Sequence, residues 1–229
     1  IAINAVIPFA YFVGVKSGES DWIDFAKKVE TQAEIPISTL NFGGGFGVKY
    51  LDDDLELNIK ETLTGMVKLC EEYNQTLDMR IENIMIEPGR SIIAKNGITL
   101  YECGGLKKTY SAKRYLFIDG GMTDNIRPAL YGAKYQIENA SCVFSEEQKM
   151  YDVVGKCCES GDIIAQDIIM GDVKIKDILT VYATGAYGYA MSSNYNGILR
   201  PAVLFVEHDK KELVIRREEI SDLTKTYLF

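Results

Sequence analysis

An apolar run, AINAVIPFAYFV, opens the chain, and the period of the pattern then changes. In SGESDWIDFAKKVE the apolar residues Trp22, Phe25, Ala26 and Val29 recur at helical spacing, and Ser20 or Asp21 stands where an N-cap belongs. A helix is predicted there. IPISTLNF, residues 35–42, reads as a buried strand, and LELNIKETLTGMVKLCEEY places Ile59, Leu63, Met66, Val67 and Cys70 on one helical face. IENIMI, residues 81–86, predicts a second buried strand. Strand, loop, helix and strand form a βαβ unit, so the strands lie parallel and the loops after them, GGGFG and EPGR, leave at one edge of the sheet.

Beyond Ser91 the pattern shortens to β-like runs, IIAKNGITLYE, RYLFIDG, DVVGKC, DIIAQDI, DILTVYA, PAVLFVE and KELVIRR, separated by Gly, Asp and Asn turns. These predict a mostly antiparallel β domain. The expected boundaries are 1–93 for an α/β part and 94–229 for the β part.

Composition narrows the function. The 229 residues are 47% hydrophobic, enough for a core, and the net charge of −8 supplies no basic stripe for a phosphate backbone, so nucleic acid is not expected as a partner. Apolar runs fall short of a membrane span, and the N-terminal stretch lacks a basic flank and a signal-peptide cleavage pattern. Five cysteines without CxxC spacing and one histidine, His208, point to reduced thiols in a cytoplasmic protein without a metal site.

Each motif carries two readings. Glycines 43–45 either relieve a tight βα turn or bare their N–H groups to a phosphate. In EPGR, Glu87 and Arg90 form either a structural ion pair or a clamp in which the guanidinium meets a phosphate and the glutamate holds a heterocyclic nitrogen protonated. Further on, DGGMTDNIRPALYGAKY, VVGKCCESGD and TGAYGYAMSSNYN admit ordinary accounts as turns, packed tyrosines and a buried thiol.

Taken together, GGGFG, EPGR, RPALYGAKY, CESGD and GAYGYAMSSNYN stand in the order of the fold-type III pyridoxal-phosphate decarboxylases, which the chain resembles from about Leu40 to its end. The Cys158-Glu159 pair resembles the branch that acts on diaminopimelate; a Cys-Asp pair is expected in the ornithine and arginine branches. The resemblance implies the last units of a (β/α)8 barrel followed by the family's β domain. It also implies conversion of meso-2,6-diaminopimelate to L-lysine and CO2.

For the residues, the resemblance implies that Gly44 and Gly45 hold the phosphate of pyridoxal 5'-phosphate, that Glu87 pairs with its ring nitrogen, and that Pro88, Gly89 and Arg90 complete that wall. By the same resemblance Arg90 is expected also to reach the substrate, Arg127 and Tyr131 to grip a substrate carboxylate, and Tyr187 to lie near cofactor and substrate. It further implies that Cys158 is the proton-handling catalytic residue and Glu159 the partner of a substrate ammonium group, both reaching into a neighbouring subunit's site, and hence a homodimer. Cys157 is expected to pack.

Two family features have no counterpart in this sequence. The cofactor-bearing lysine is one, since Lys134 falls inside the RPALY region. The other is a His-x-Gly-Ser segment, in whose place stands FVGVKSGES. The isolated chain is therefore expected not to turn over substrate, because two or three βα units cannot close an eight-stranded barrel. A non-catalytic remnant or partner subunit, and a sister enzyme acting on carboxynorspermidine or another basic amino acid, stay open as alternatives.

Overall fold

The computed structural model describes residues 2–4, 17–142 and 144–228, with side chains given from residue 23 onward. Most of the opening apolar run and the first part of FVGVKSGES therefore lie outside the described residues. The chain divides into two compact units, Ile1–Lys49 with Asp53–Ala94, and Tyr50–Asp52 with Lys95–Phe229.

The first unit is a parallel three-stranded sheet in the order β1 (Ala2–Asn4), β2 (Thr39–Asn41), β3 (Asn83–Met85). Helices α1 (Ser17–Ala33) and α2 (Ile59–Thr76) connect the strands, and a short α3 (Gly89–Ile93) follows β3. Because α1 begins at Ser17, Ser20 and Asp21 lie within the helix and are not its caps. The buried face of α1 is set by Ile23 and Ala26, while Phe25 is 49% exposed. Asn58 caps α2 by accepting the Glu61 amide at 3.1 Å.

On α2 the inward stripe is Met66 and Cys70 with Leu63 and Tyr73 beside them; Ile59 and Val67, on the predicted face, are largely exposed. Ile37, Leu40, Phe42 and Phe46 from the β2 segment complete this core. The run at 81–86 is less buried than predicted: β3 has a neighbour on one side only among the described residues, and Met85 faces outward.

In the second unit β4 (Thr99–Lys108), β5 (Arg114–Ile118), β6 (Ile137–Asn139), β7 (Gln148–Val154), β8 (Ile163–Gly171) and β9 (Ile178–Val181) form one sheet in the order β6-β9-β4-β5-β7-β8. All its pairings are antiparallel except β5 with β7. β4 serves two neighbours in succession, β9 along Thr99 to Glu102 and β5 from Cys103 on, with a register shift between Cys103 and Gly105. Such an irregularity bends a strand and lets one element join two parts of a sheet. Tyr101, Cys103, Leu116, Ile118, Val153 and Leu179 meet in the core.

Two predicted runs differ in detail. Ile92 and Ile93 close α3, and a 3-10 turn spans Ala94–Asn96, so β4 starts only at Thr99. RPALY folds as a short helix α4 (Arg127–Tyr131), with Pro128 in its first turn and Gly132 as a left-handed cap at φ 62°; these are the positions that favour proline and glycine. A final hairpin, β10 (Val203–Glu207) and β11 (Lys210–Ile215), turns at His208 and Asp209, and α5 (Ile220–Thr224) follows.

Leu116 is fully buried, whereas Leu204 on β10 is 53% exposed. Leu116→Ala is expected to cost about 2–5 kcal/mol by chemical denaturation, and Leu204→Ala within about 0.5 kcal/mol.

Candidate active site

In the first unit β2 and β3 are parallel neighbours, so the loops behind them share an edge, where they are laced together. Phe42 donates its amide to the Met85 carbonyl at 2.9 Å, and Glu87 donates to the Gly43 carbonyl at 2.7 Å. Buried Asn41 ties both loops with one side chain: its Oδ1 accepts from the Gly43 amide at 2.8 Å, and its Nδ2 donates to Glu87 Oε1 at 2.8 Å. One carboxylate oxygen of Glu87 is thereby fixed, which orients the other.

The three glycines answer to different constraints. Gly43 and Gly45 adopt left-handed conformations at φ 71° and 84°, while a methyl group on Gly44 would stand 2.5 Å from the Glu87 carbonyl oxygen. Among the described residues the amides of Gly44 and Gly45 have no acceptor. Arg90, half-buried in α3, makes no ion pair among the described residues. Pro88 and Gly89 carry the chain into α3, and Ser91 Oγ donates back to the Pro88 carbonyl at 2.7 Å. This edge offers free amides, an oriented carboxylate and an unpaired guanidinium, the groups that a phosphorylated pyridine requires.

The second unit gathers three of the predicted residues. Arg127 Nε donates to the Tyr135 hydroxyl at 3.0 Å, and the guanidinium lies over the rings of Tyr131 at 5.4 Å and Tyr187 at 5.2 Å. Tyr135 is itself buried and meets Tyr50 edge-on at 5.3 Å, which makes it a rigid anchor. No carboxylate pairs with Arg127 among the described residues. Its charge is stacked, oriented and open to an anion. Tyr187 holds φ 63°, an uncommon conformation for a tyrosine that aims its ring across the loop. Lys134 is exposed beside this cluster.

Asp162, 3% exposed, organises the CESGD turn. Its Oδ1 accepts from the Met122 amide at 2.6 Å and its Oδ2 from the Cys157 amide at 2.8 Å. Lys156 donates its amide to Gly120 at 3.0 Å, and Ser193 donates to Thr123 at 3.0 Å. Three stretches distant in sequence thus share one frame. Cys158 is exposed on this turn, while burial and the adjacent Asp162 carboxylate push the Cys157 thiol up from the ordinary 9.0 to about 11. Glu159 accepts from the Tyr195 hydroxyl at 3.3 Å.

Asn41, Asp162 and Tyr195 were not marked by sequence pattern. The first two had a readable signal, a short polar side chain beside glycines that can cap loop amides. Tyr195 had none, because its partner lies 36 residues away.

Residues 53–185 match the family described as pyridoxal-dependent decarboxylase, C-terminal sheet domain. Diaminopimelate decarboxylase of Bacillus subtilis (strain 168) is 45% identical over 186 residues, covering 81% of this chain and 42% of the relative. The Staphylococcus aureus (strain COL) enzyme of the same name is 41% identical over 192 residues, covering 82% and 45%. Among solved structures, diaminopimelate decarboxylase from M. jannaschii in complex with L-lysine aligns with a TM-score of 0.82 at 30% identity, over 90% of this chain and 46% of that one. The Helicobacter pylori enzyme with L-lysine gives 0.80 at 28%, over 98% and 53%. The chain spans less than half the length of the curated relatives it matches.

The elevated Cys157 thiol sets a pH dependence. Between 9.0 and about 11 the unfolded chain has released this proton while the folded chain keeps it, so stability falls as pH rises through that window. Thermal melts followed by circular dichroism are expected to show a midpoint falling from about pH 9 to about pH 11. Cys157→Ala is expected to flatten that fall.

Proposed function

The chain belongs to the pyridoxal-dependent decarboxylases, and from that membership we propose that it forms part of the active site of an enzyme converting meso-2,6-diaminopimelate to L-lysine and CO2. The observation that carries the substrate is the Arg127 guanidinium, stacked between Tyr131 and Tyr187, pinned by Tyr135 and without an acidic partner among the described residues. The distal end of diaminopimelate bears both a carboxylate and an ammonium group. Arg127 with Tyr131 suits the first, and Glu159 suits the second. Ornithine and lysine lack that distal carboxylate and would leave the guanidinium without a counter-charge.

Pyridoxal phosphate, when bound, supplies an electron sink for the pair released as CO2 leaves. The residues at the first unit's edge fit it: Gly44 and Gly45 would donate amides to the phosphate, and the missing Cβ of Gly44 keeps the cradle open. Glu87, steadied by Asn41, would accept from the protonated ring nitrogen. Arg90, continuing from Pro88 and Gly89, would balance charge beside the phosphate. Tyr187 would border cofactor and substrate. Cys158, exposed on its turn, would supply the proton to the carbon that has lost CO2.

Cys158 and Glu159 act in this reading on the site of a second copy of the chain, giving a homodimer with shared sites. The free state of all five cysteines supports a reducing, cytoplasmic setting. Among the described residues no helix is long and apolar enough to cross a membrane.

A chimera in which residues 41–229 replace the matching portion of the Bacillus subtilis enzyme tests this function. It is expected to release CO2 from meso-diaminopimelate and not from ornithine or carboxynorspermidine. Release from either of those instead, or from none, would reject the substrate. In the chimera Cys158→Ala is expected to lower kcat by about 100-fold or more while cofactor absorbance is retained.

A further inference from the structure

Glu159 is held from two sides. The Gly161 amide and the Ser160 hydroxyl donate to its Oε1 at 3.4 and 3.5 Å, and the Tyr195 hydroxyl donates to its Oε2 at 3.3 Å. All three donors are neutral, so they orient the carboxylate without cancelling its charge, as a lysine or arginine in any of these places would. A carboxylate offers about four acceptor directions, which leaves room on Oε2 for a ligand cation.

Tyr195 is in turn fixed from outside the turn. It opens a 3-10 turn, Tyr195–Gly197, in which Asn196 is left-handed at φ 57°. On the N-terminal side Ser193 fastens the segment to Thr123, within the frame that also holds Asp162. On the other side Asn194 Nδ2 donates to the Ile198 carbonyl at 3.0 Å and to Glu218 Oε2 at 2.5 Å.

Glu218 lies beyond β11 and gathers both ends of this segment. Besides Asn194 it accepts from the Arg200 amide at 2.8 Å and from Arg200 Nε at 2.6 Å, with Arg200 Nη2 at 2.6 Å in the same ion pair. The Arg200 guanidinium lies over Tyr189 at 5.5 Å. The Arg200 hydrogen bonds hold the Glu218 carboxyl down to about 2, so it stays ionised across the neutral range. Two guanidinium nitrogens converge on Glu218 Oε1 while the Arg200 amide and Asn194 share Oε2, so one carboxylate closes the loop that carries Tyr195.

We infer that Tyr195 is the positioning residue of Glu159, and that Glu218, through Asn194 and Arg200, holds Tyr195 in place, so that the Glu159 carboxylate meets the distal ammonium group of the substrate in one orientation. This rests on the reading of Glu159 given above. It adds that Glu218, in the C-terminal segment outside the motifs named above, sets through this loop how tightly the substrate's far end is gripped.

Two measurements test it. In the chain itself, ultraviolet titration of the phenols, taken as the difference between the unaltered protein and Tyr195→Phe, reports the ionisation of Tyr195 alone. The Glu159 carboxylate pushes that ionisation above the ordinary 10.0. Glu159→Gln is expected to bring it back down, and an unmoved transition would overturn the inference.

In the chimera, Tyr195→Phe and Glu218→Gln are each expected to raise KM for meso-diaminopimelate about tenfold, the loss of one hydrogen bond to a charged group, with kcat within about twofold. The double variant is expected to be no worse than the worse single one, since both act through one loop. A chimera that turns over diaminopimelate with KM unchanged in Tyr195→Phe removes the inference and leaves the function standing. A chimera without activity removes the function, and the phenol titration then decides the Tyr195–Glu159 contact by itself. If Glu218→Gln fails to fold, Tyr195→Phe carries the kinetic test alone.

Discussion

The buried carboxylate of Asp162 does for the second unit what no strand ladder could do. Sheets satisfy their amides by pairing, but turns at strand ends have to find other acceptors, and a turn that also presents reactive side chains has to be stiff. By accepting from Met122 and Cys157, Asp162 binds the CESGD turn to the GGMTD turn. The close approach requires glycine at 121 and 155, since a side chain at either would overlap the carboxylate. Asn41 plays the same part in the first unit, joining the glycine loop to Glu87 with one amide group.

Both devices have the same logic. A short polar side chain with little rotamer freedom replaces the missing ladder, and glycines clear the space around it. What remains outside each device are the groups proposed to act: amides without an acceptor among the described residues and a single carboxylate oxygen at the first unit's edge, a thiol and a carboxylate on the second unit's turn. Rigidity is placed beneath these groups without occupying them.

Periodicity disclosed the elements and their order, because the parallel strands and the antiparallel sheet each leave a two- or three-to-four-residue pattern. It read the buried stripes only in part: Ala26 and Val29 on α1 and Leu63, Met66 and Cys70 on α2 pack inward as read, while Phe25, Ile59 and Val67 do not. Ile59, Val67 and Phe25 are as apolar as their buried neighbours, and only the direction of the sheet decides between two overlapping stripes. RPALY was hidden as a helix by its brevity, even though its proline and glycine mark the two ends. In the site, the motif residues were legible because each lies in a run of unusual composition. Arg200 and Glu218 lie outside those runs, and Tyr195, although inside GAYGYAMSSNYN, meets Glu159 across 36 residues, a contact that no local pattern encodes.

The glycine loop has a consequence at the level of the gene. Every base change at the first or second position of a glycine codon that still encodes an amino acid introduces a Cβ, and at Gly43, Gly44 and Gly45 each Cβ meets either a disfavoured backbone conformation or the Glu87 carbonyl. These three codons can drift only at their silent positions without straining the loop. Geometry therefore favours glycine at all three positions, before any demand from a cofactor is added.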